Sequence, residues 1–186
     1  MHPKWQEKIY GFFKSLFTNN TGTQTSQVFM ATHSDHVLKS ALEDDNALII
    51  KLNESGSNAM YKGGSGEILP TITLGEVKWR VFDMPTVDFY IQLYNHIQEH
   101  VAVDTAGNPF VDSSGSPTIA NIKETDIFLC SQRDASQVST HTLRNGNVVS
   151  YDGLSTYIRN CISHPDSGSY TEQQFRDSIE FMISLI

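Results

Sequence analysis

The chain has 186 residues, with 13 Lys and Arg against 21 Asp and Glu, a net charge of −8 and a pI near 5.2. That balance excludes the broadly basic footprint of a general nucleic-acid binder, while leaving room for a local cationic patch, and the length allows one or two small domains. The two cysteines, Cys130 and Cys161, form no CxxC pair and no zinc spacing, and no apolar run reaches the roughly 18 to 20 residues that span a bilayer.

The N-terminus lacks a charged region followed by an apolar stretch and a small-residue cleavage site, so a cytoplasmic location without a membrane partner is the expectation. Residues 5–17 place Trp5, Ile9, Phe12, Phe13, Leu16 and Phe17 at helical spacing, and the polar run 19–23 ends that helix. The apolar run 27–31 reads as a buried strand, and 35–42 reads as a helix. Residues 47–52 and 60–62, divided by a polar turn, read as a β-hairpin that closes a sheet. A first domain, an α/β segment over residues 1–70, therefore precedes an all-helical domain over 71–186.

In the second domain, 74–82 has helical periodicity, and Thr86 is the expected N-cap of a helix over 87–101. Residues 102–120 read as an exposed loop, 122–130 as a short helix, 145–147 as a turn and 151–163 as a helix broken at 165–169. Thr171 and Gln174 have capping-box spacing for a last helix. No internal repeat and no long low-complexity segment is evident.

Two segments carry chemistry. The first is Gln27-Val-Phe-Met-Ala-Thr-His-Ser-Asp-His-Val-Leu38, where His33 would stand at the C-terminal end of the expected strand, the position where α/β folds place ligand chemistry. Thr32-His33-Ser34 resembles the switch histidine segment of ABC-type ATPases, in particular bacterial AAA-like ATPases. Met1-His2-Pro3-Lys4-Trp5-Gln6 resembles the LHPxxQ that follows the Walker B acidic pair in that family. The resemblance implies that His33, flanked by Thr32 and Ser34, contacts the γ-phosphate of an ATP bound with Mg. Yet the chain holds no G-x-x-x-x-G-K-[ST], and no Asp-Glu pair ends an apolar strand. Lys62-Gly63-Gly64-Ser65-Gly66 lacks the following Lys-Ser/Thr. The expectation is the C-terminal part of a larger ATPase, a P-loop head remnant that does not hydrolyse ATP by itself. The plainer reading makes Ser34 and Asp35 caps of the next helix.

The second segment is Tyr157-Ile-Arg-Asn-Cys-Ile-Ser-His-Pro165. Five residues of ideal helix turn about 500°, which leaves Arg159 and His164 roughly 140° apart, so they converge only where the last turn opens before Pro165. Arg159-Asn160-x-x-x-His164 resembles the R-x4-6-H motif of HEPN domains, small helical bundles of which many are metal-independent ribonucleases with a site formed across a dimer. The resemblance implies that His164 is the general acid/base, that Arg159 stabilises the phosphorane charge and that Asn160 orients the pair. The residue types suit that work, since histidine titrates near neutrality and a guanidinium binds phosphate oxygens bidentately.

Elsewhere the plain readings prevail. Glu76, Lys78 and Arg80 read as a solvated helix face, and Trp79, Phe82, Phe89, Tyr90 and Tyr94 as core. Cys161 reads as a buried thiol. His96 and His100 are spaced i, i+4 without a third ligand, so no metal site is expected. His141 and Arg144 have no context. The resemblances together imply an ATPase-regulated, HEPN-like ribonuclease of a phage-defence type. It would act as a homodimer on RNA such as tRNA, with a separate ATPase or an antitoxin-like chain as partner. The alternatives are a non-catalytic dimerisation or interaction module, and an inactive gene remnant.

Overall fold

A computed structural model describes residues 3–52, 58–62, 68–142 and 146–186. The chain is a mixed α/β protein that divides into two compact units, Met1–Met84 and Pro85–Ile186. The His-Pro start through His2, the polar turn at 53–57, the glycine run 63–66, and Arg144 with Asn145 lie outside the described residues.

The N-terminal unit contains α1 (Pro3–Leu16), α2 (Asp35–Leu42), the antiparallel pair β1 (Leu48–Leu52) and β2 (Asn58–Lys62), and α3 (Leu74–Phe82). Its core gathers Leu38, Ala41 and Leu42 of α2, Ile49 of β1, Ile72, and Val77 and Val81 of α3. The helical spacing of α2 and α3 puts these apolar residues on single faces, as amphipathic helices require. Because α3 packs on α2, the unit ends at Met84, beyond the boundary expected near Pro70.

Three expectations fail here. Residues 27–31 form no strand. They lie exposed, with Phe29 90% accessible, and among the described residues no neighbouring strand offers them a ladder. The β1–β2 hairpin stands as a two-stranded sheet by itself and closes no larger one. Glu76 is fully buried rather than solvated. Its carboxylate accepts from the backbone N–H of Ile68 (3.0 Å) and Leu69 (3.4 Å) and from Arg80 at 3.1 Å. A buried carboxylate needs such partners, and here it satisfies the entry into α3.

The apolar stripe of α1 is also placed unexpectedly, with Trp5 70% accessible and Phe12 and Leu16 exposed. Polar groups hold α1 to α2 instead. Ser34 donates to Gln6 at 2.6 Å, and Ser40 donates to the Glu7 carbonyl at 3.0 Å. Just beyond α2, Asp44 accepts from Tyr10 at 2.6 Å and from Lys14.

The C-terminal unit contains α4 (Val87–His96), continued by a π-helical turn at Ile97–Val101, then α5 (Ile122–Ser131) and the antiparallel hairpin β3 (Ser136–Thr142) and β4 (Val148–Gly153). Next come α6 (Leu154–Ser163), a 3₁₀ turn at Pro165–Ser167, and α7 (Glu172–Ile183). The all-helical expectation is thus corrected by a hairpin, and residues 151–153 end β4 rather than opening the helix. Thr86 caps α4 by accepting from Phe89, and Thr171 and Gln174 form a reciprocal capping box on α7. α6 is the hub, packing against β3, β4, α4, α5 and α7. Phe89, Tyr90, Leu93, Tyr94, Leu129, Ile158, Ile179 and Met182 are completely buried within the unit.

The loop before α5 does contain a repeat. Val103-Asp104-Thr-Ala-Gly-Asn-Pro109 and Val111-Asp112-Ser-Ser-Gly-Ser-Pro117 adopt the same turn twice. In the first, Asp104 Oδ1 accepts from the N–H of Ala106 and Asn108; in the second, Asp112 Oδ1 accepts from Ser114 and Ser116. Gly107 and Gly115 take the left-handed conformation at φ 83° and 82°, where glycine carries no Cβ penalty.

Burial opposes the charge on Asp44, but hydrogen bonds from Lys14, Tyr10 and the Asn46 N–H, with the Lys14 charge, bring its carboxyl down to about 2. A folded-state value below the ordinary 3.8 stabilises the fold above about pH 4, and that stability drains as pH falls through the folded value. Acidification from pH 4 to 2 should therefore release α1, read as rising Trp5 mobility by fluorescence anisotropy. Asp44→Asn should weaken α1 docking at neutral pH and flatten that acid step. An acid step of unchanged size in Asp44→Asn would refute the assignment.

Candidate functional site

The start of α6 is set from outside the helix. Gly153, its N-cap, has no side chain to satisfy the free N–H groups of the first turn. Asp134 does so instead, accepting from Ser155 N at 2.8 Å, and the Ala135 carbonyl accepts from Leu154 N at 2.7 Å. Asp126, fully buried on α5, accepts from the N–H groups of Asp152 and Gly153, each at 3.0 Å, and from Lys123 at 3.3 Å. Carboxylates near the N-terminus of a helix also meet the positive end of its dipole. Burial raises the Asp134 carboxyl above its ordinary range, against the opposing hydrogen bonds from Ser155 and Ala135.

Behind this junction lies a relay of buried hydroxyls. Tyr90 of α4 donates to the Ser155 carbonyl at 2.6 Å and lies 3.1 Å from Ser178 Oγ of α7, which meets Ser155 Oγ at 2.7 Å. One turn further along α4, Tyr94 pairs with Thr156 at 3.2 Å. Burial pushes both phenols well above the ordinary tyrosine range, so they remain neutral hydrogen-bonding groups.

These restraints fix the other end of α6, where the motif residues lie. Arg159 is half-buried and donates to Asn160 Oδ1 at 3.3 Å. Asn160 is only 6% accessible, and its amide nitrogen finds no partner among the described residues. His164 is exposed and has left the helix, at φ −139° and ψ 82°, while its N–H still donates to the Asn160 carbonyl at 2.8 Å. The last turn therefore opens immediately before Pro165, as convergence of the motif requires.

The hairpin adds what the linear motif lacks. His141 of β3 stacks on His164, with ring centroids 4.6 Å apart and planes at 28°. Ser139, two residues earlier on the same strand, has a buried hydroxyl without a partner among the described residues. Neither residue was anticipated. The polar β3 segment has no apolar alternation, and its one signal is the β-branched Val138, Thr140 and Thr142 ahead of Asn145-Gly146.

The other expected residues are not brought to this cluster by any contact. His33 is exposed, in a segment that is not a strand. Thr32 Oγ1 accepts from Ser34 N at 3.0 Å, and Ser34 caps α2 by accepting from Val37 N. His96 and His100 face each other at 4.9 Å, with burial and the His100 charge holding His96 below its ordinary value. Among the described residues no three His, Cys, Asp or Glu groups gather as a metal site, and no helix is long and apolar enough to cross a membrane. No protein-family model, curated protein or solved structure matches the chain.

A Cβ at Gly153 would lie 2.7 Å from Asp134 Oδ2, 3.1 Å from Asp126 Oδ1 and 3.2 Å from Cys130 Sγ. Both carboxylates are tied to backbone donors and cannot withdraw freely. Gly153→Ala should cost about 1 to 3 kcal/mol through overpacking, seen as a lower midpoint for the C-terminal unit in a thermal melt. A melt identical to that of the parent chain would show that the carboxylate clamp yields.

Proposed function

We propose that the C-terminal unit is a metal-independent, HEPN-like ribonuclease whose site is the open end of α6. The observation that carries this reading is the placement of His164, exposed and outside the helix with its ring stacked on a second imidazole, its backbone N–H bonded to the carbonyl of Asn160, whose side chain accepts from Arg159. In this role His164 exchanges a proton with the ribose 2′-OH or the leaving oxygen. Arg159 neutralises charge that develops on the phosphoryl oxygens, and Asn160 holds the guanidinium in place. RNA, with tRNA as one candidate, is the substrate, and a second copy of the chain is the proposed partner.

The proposed ATP link, with Mg and His33, rests on the sequence motifs alone. Thr32 and Ser34 are engaged in local turn and cap bonds, and the 27–31 segment is exposed coil. A second reading, an interaction module, is favoured for the N-terminal unit by the exposed Trp5, Phe12, Leu16 and Phe29, since such apolar surface marks protein contacts more often than chemistry.

The purified chain in excess EDTA should cut total cellular RNA, tRNA included, into discrete fragments. His164→Ala should cut it about 100-fold more slowly or worse, the usual scale of a lost acid–base group. Equal cleavage by both proteins, or by neither, would remove this site from consideration and leave the interaction module.

A further inference from the structure

We propose that His141 is the second acid–base group of this site, so that one chain carries both imidazoles that RNA transesterification needs. The inference rests on the ribonuclease reading above and deepens it. Along β3 the residues alternate, with Ser136, Val138, Thr140 and Thr142 exposed and Gln137, Ser139 and His141 half-buried. β3 packs on α6, and the alternation turns His141 inward to the ring of His164.

A stacked histidine pair could be mere packing, but the helix and the strand that bring the two rings together each also carry an unsatisfied polar group. The Asn160 amide lies one helical turn before His164, and the Ser139 hydroxyl lies one strand repeat before His141. Both are buried donors without a partner among the described residues. Buried donors of this kind are rare, and an oxygen-rich ligand would satisfy them. With the Arg159 guanidinium bonded to Asn160, α6 and β3 carry donors of the kind that bind the non-bridging oxygens of a phosphodiester.

The step balances with these groups alone. One imidazole, neutral, takes the proton from the ribose 2′-OH as the 2′-oxygen bonds to phosphorus. The bond from phosphorus to the 5′-oxygen breaks, and the other imidazole, protonated, gives its proton to that oxygen. The products are a 2′,3′-cyclic phosphate and a 5′-hydroxyl, with no water, metal or oxidant consumed. An in-line displacement needs a proton acceptor at one apical oxygen and a donor at the other, and two facing rings can address both.

The test compares the parent chain with His141→Ala and His141→Phe on a short RNA in EDTA. Phenylalanine keeps a ring to stack on His164 but carries no titratable nitrogen. Both variants should lose about 100-fold or more in kcat with KM changed by only a few-fold, and added imidazole should restore part of the loss in His141→Ala. Mixing His141→Ala with His164→Ala should restore no activity, because both imidazoles belong to one chain. If His141→Phe cleaves like the parent chain, His141 only packs, and the inference falls while the ribonuclease reading stands. Activity restored on mixing inactive His141→Ala with inactive His164→Ala would instead assign the second imidazole to a partner copy and overturn the inference. If the parent chain itself leaves RNA uncut, the inference falls together with that reading.

Discussion

The anchoring of α6 is the constraint on which the C-terminal unit depends. Its first turn follows directly from β4, so the hairpin and the helix share a single backbone junction at Gly153–Leu154. Two carboxylates from outside the helix, Asp126 and Asp134, take the N–H groups of that junction, and the Tyr90–Ser155–Ser178 hydroxyls tie α6 to α4 and α7. Each of these polar groups would cost free energy if buried alone, so their mutual pairing favours this arrangement of the four elements. β3 pairs with β4, which ends at this junction, and places His141 against His164.

The N-terminal unit solves a different problem. Among the described residues its apolar core lies in α2, β1, the Ile72 segment and α3, and Tyr10 of α1 packs against it. α1 is attached mainly by hydrogen bonds and by the Asp44 triad, while much of its aromatic stripe faces outward. Periodicity identifies which residues share a helix face, and it says nothing about whether that face finds a core. The same distinction accounts for residues 27–31. Their composition suits a buried strand, but a strand needs a partner for its ladder, and the described residues offer none there.

Signals confined to a few neighbouring residues were legible. The caps at Thr86 and Thr171, the helix at 74–82, the β1–β2 pair and the break after His164 all follow from local chemistry. Features whose cause lies far along the chain were not. Glu76 resembles any surface glutamate until the Ile68 and Leu69 N–H groups are seen to need an acceptor. β3 has too few apolar residues to announce itself, because its inward positions hold Gln137, Ser139 and His141. The tandem turns at Asp104 and Asp112 share the Val, Asp, Gly and Pro that the backbone demands and differ at the three positions between them, so the repeat is too short to stand out. In the site, the Arg159–Asn160–His164 spacing could be read, and His141 could not, since its partner is set by strand pairing rather than by spacing.

The charge of the chain shapes what the proposed activity can act on. A protein that tracks a nucleic-acid backbone neutralises many phosphates, and its affinity falls steeply with salt for that reason. Here a chain of net charge −8 holds a cluster with one guanidinium and two imidazoles. Under the proposed activity such a site would take up one phosphate and repel the approach of long flanking duplex. Recognition then has to come from shape and from exposed bases, which single-stranded loops present and regular RNA helices withhold. The acidity that argues against general nucleic-acid binding is therefore compatible with a nuclease that takes one phosphodiester at the end of α6, and it narrows the proposed substrate to RNA whose scissile bond stands clear of the rest of the molecule.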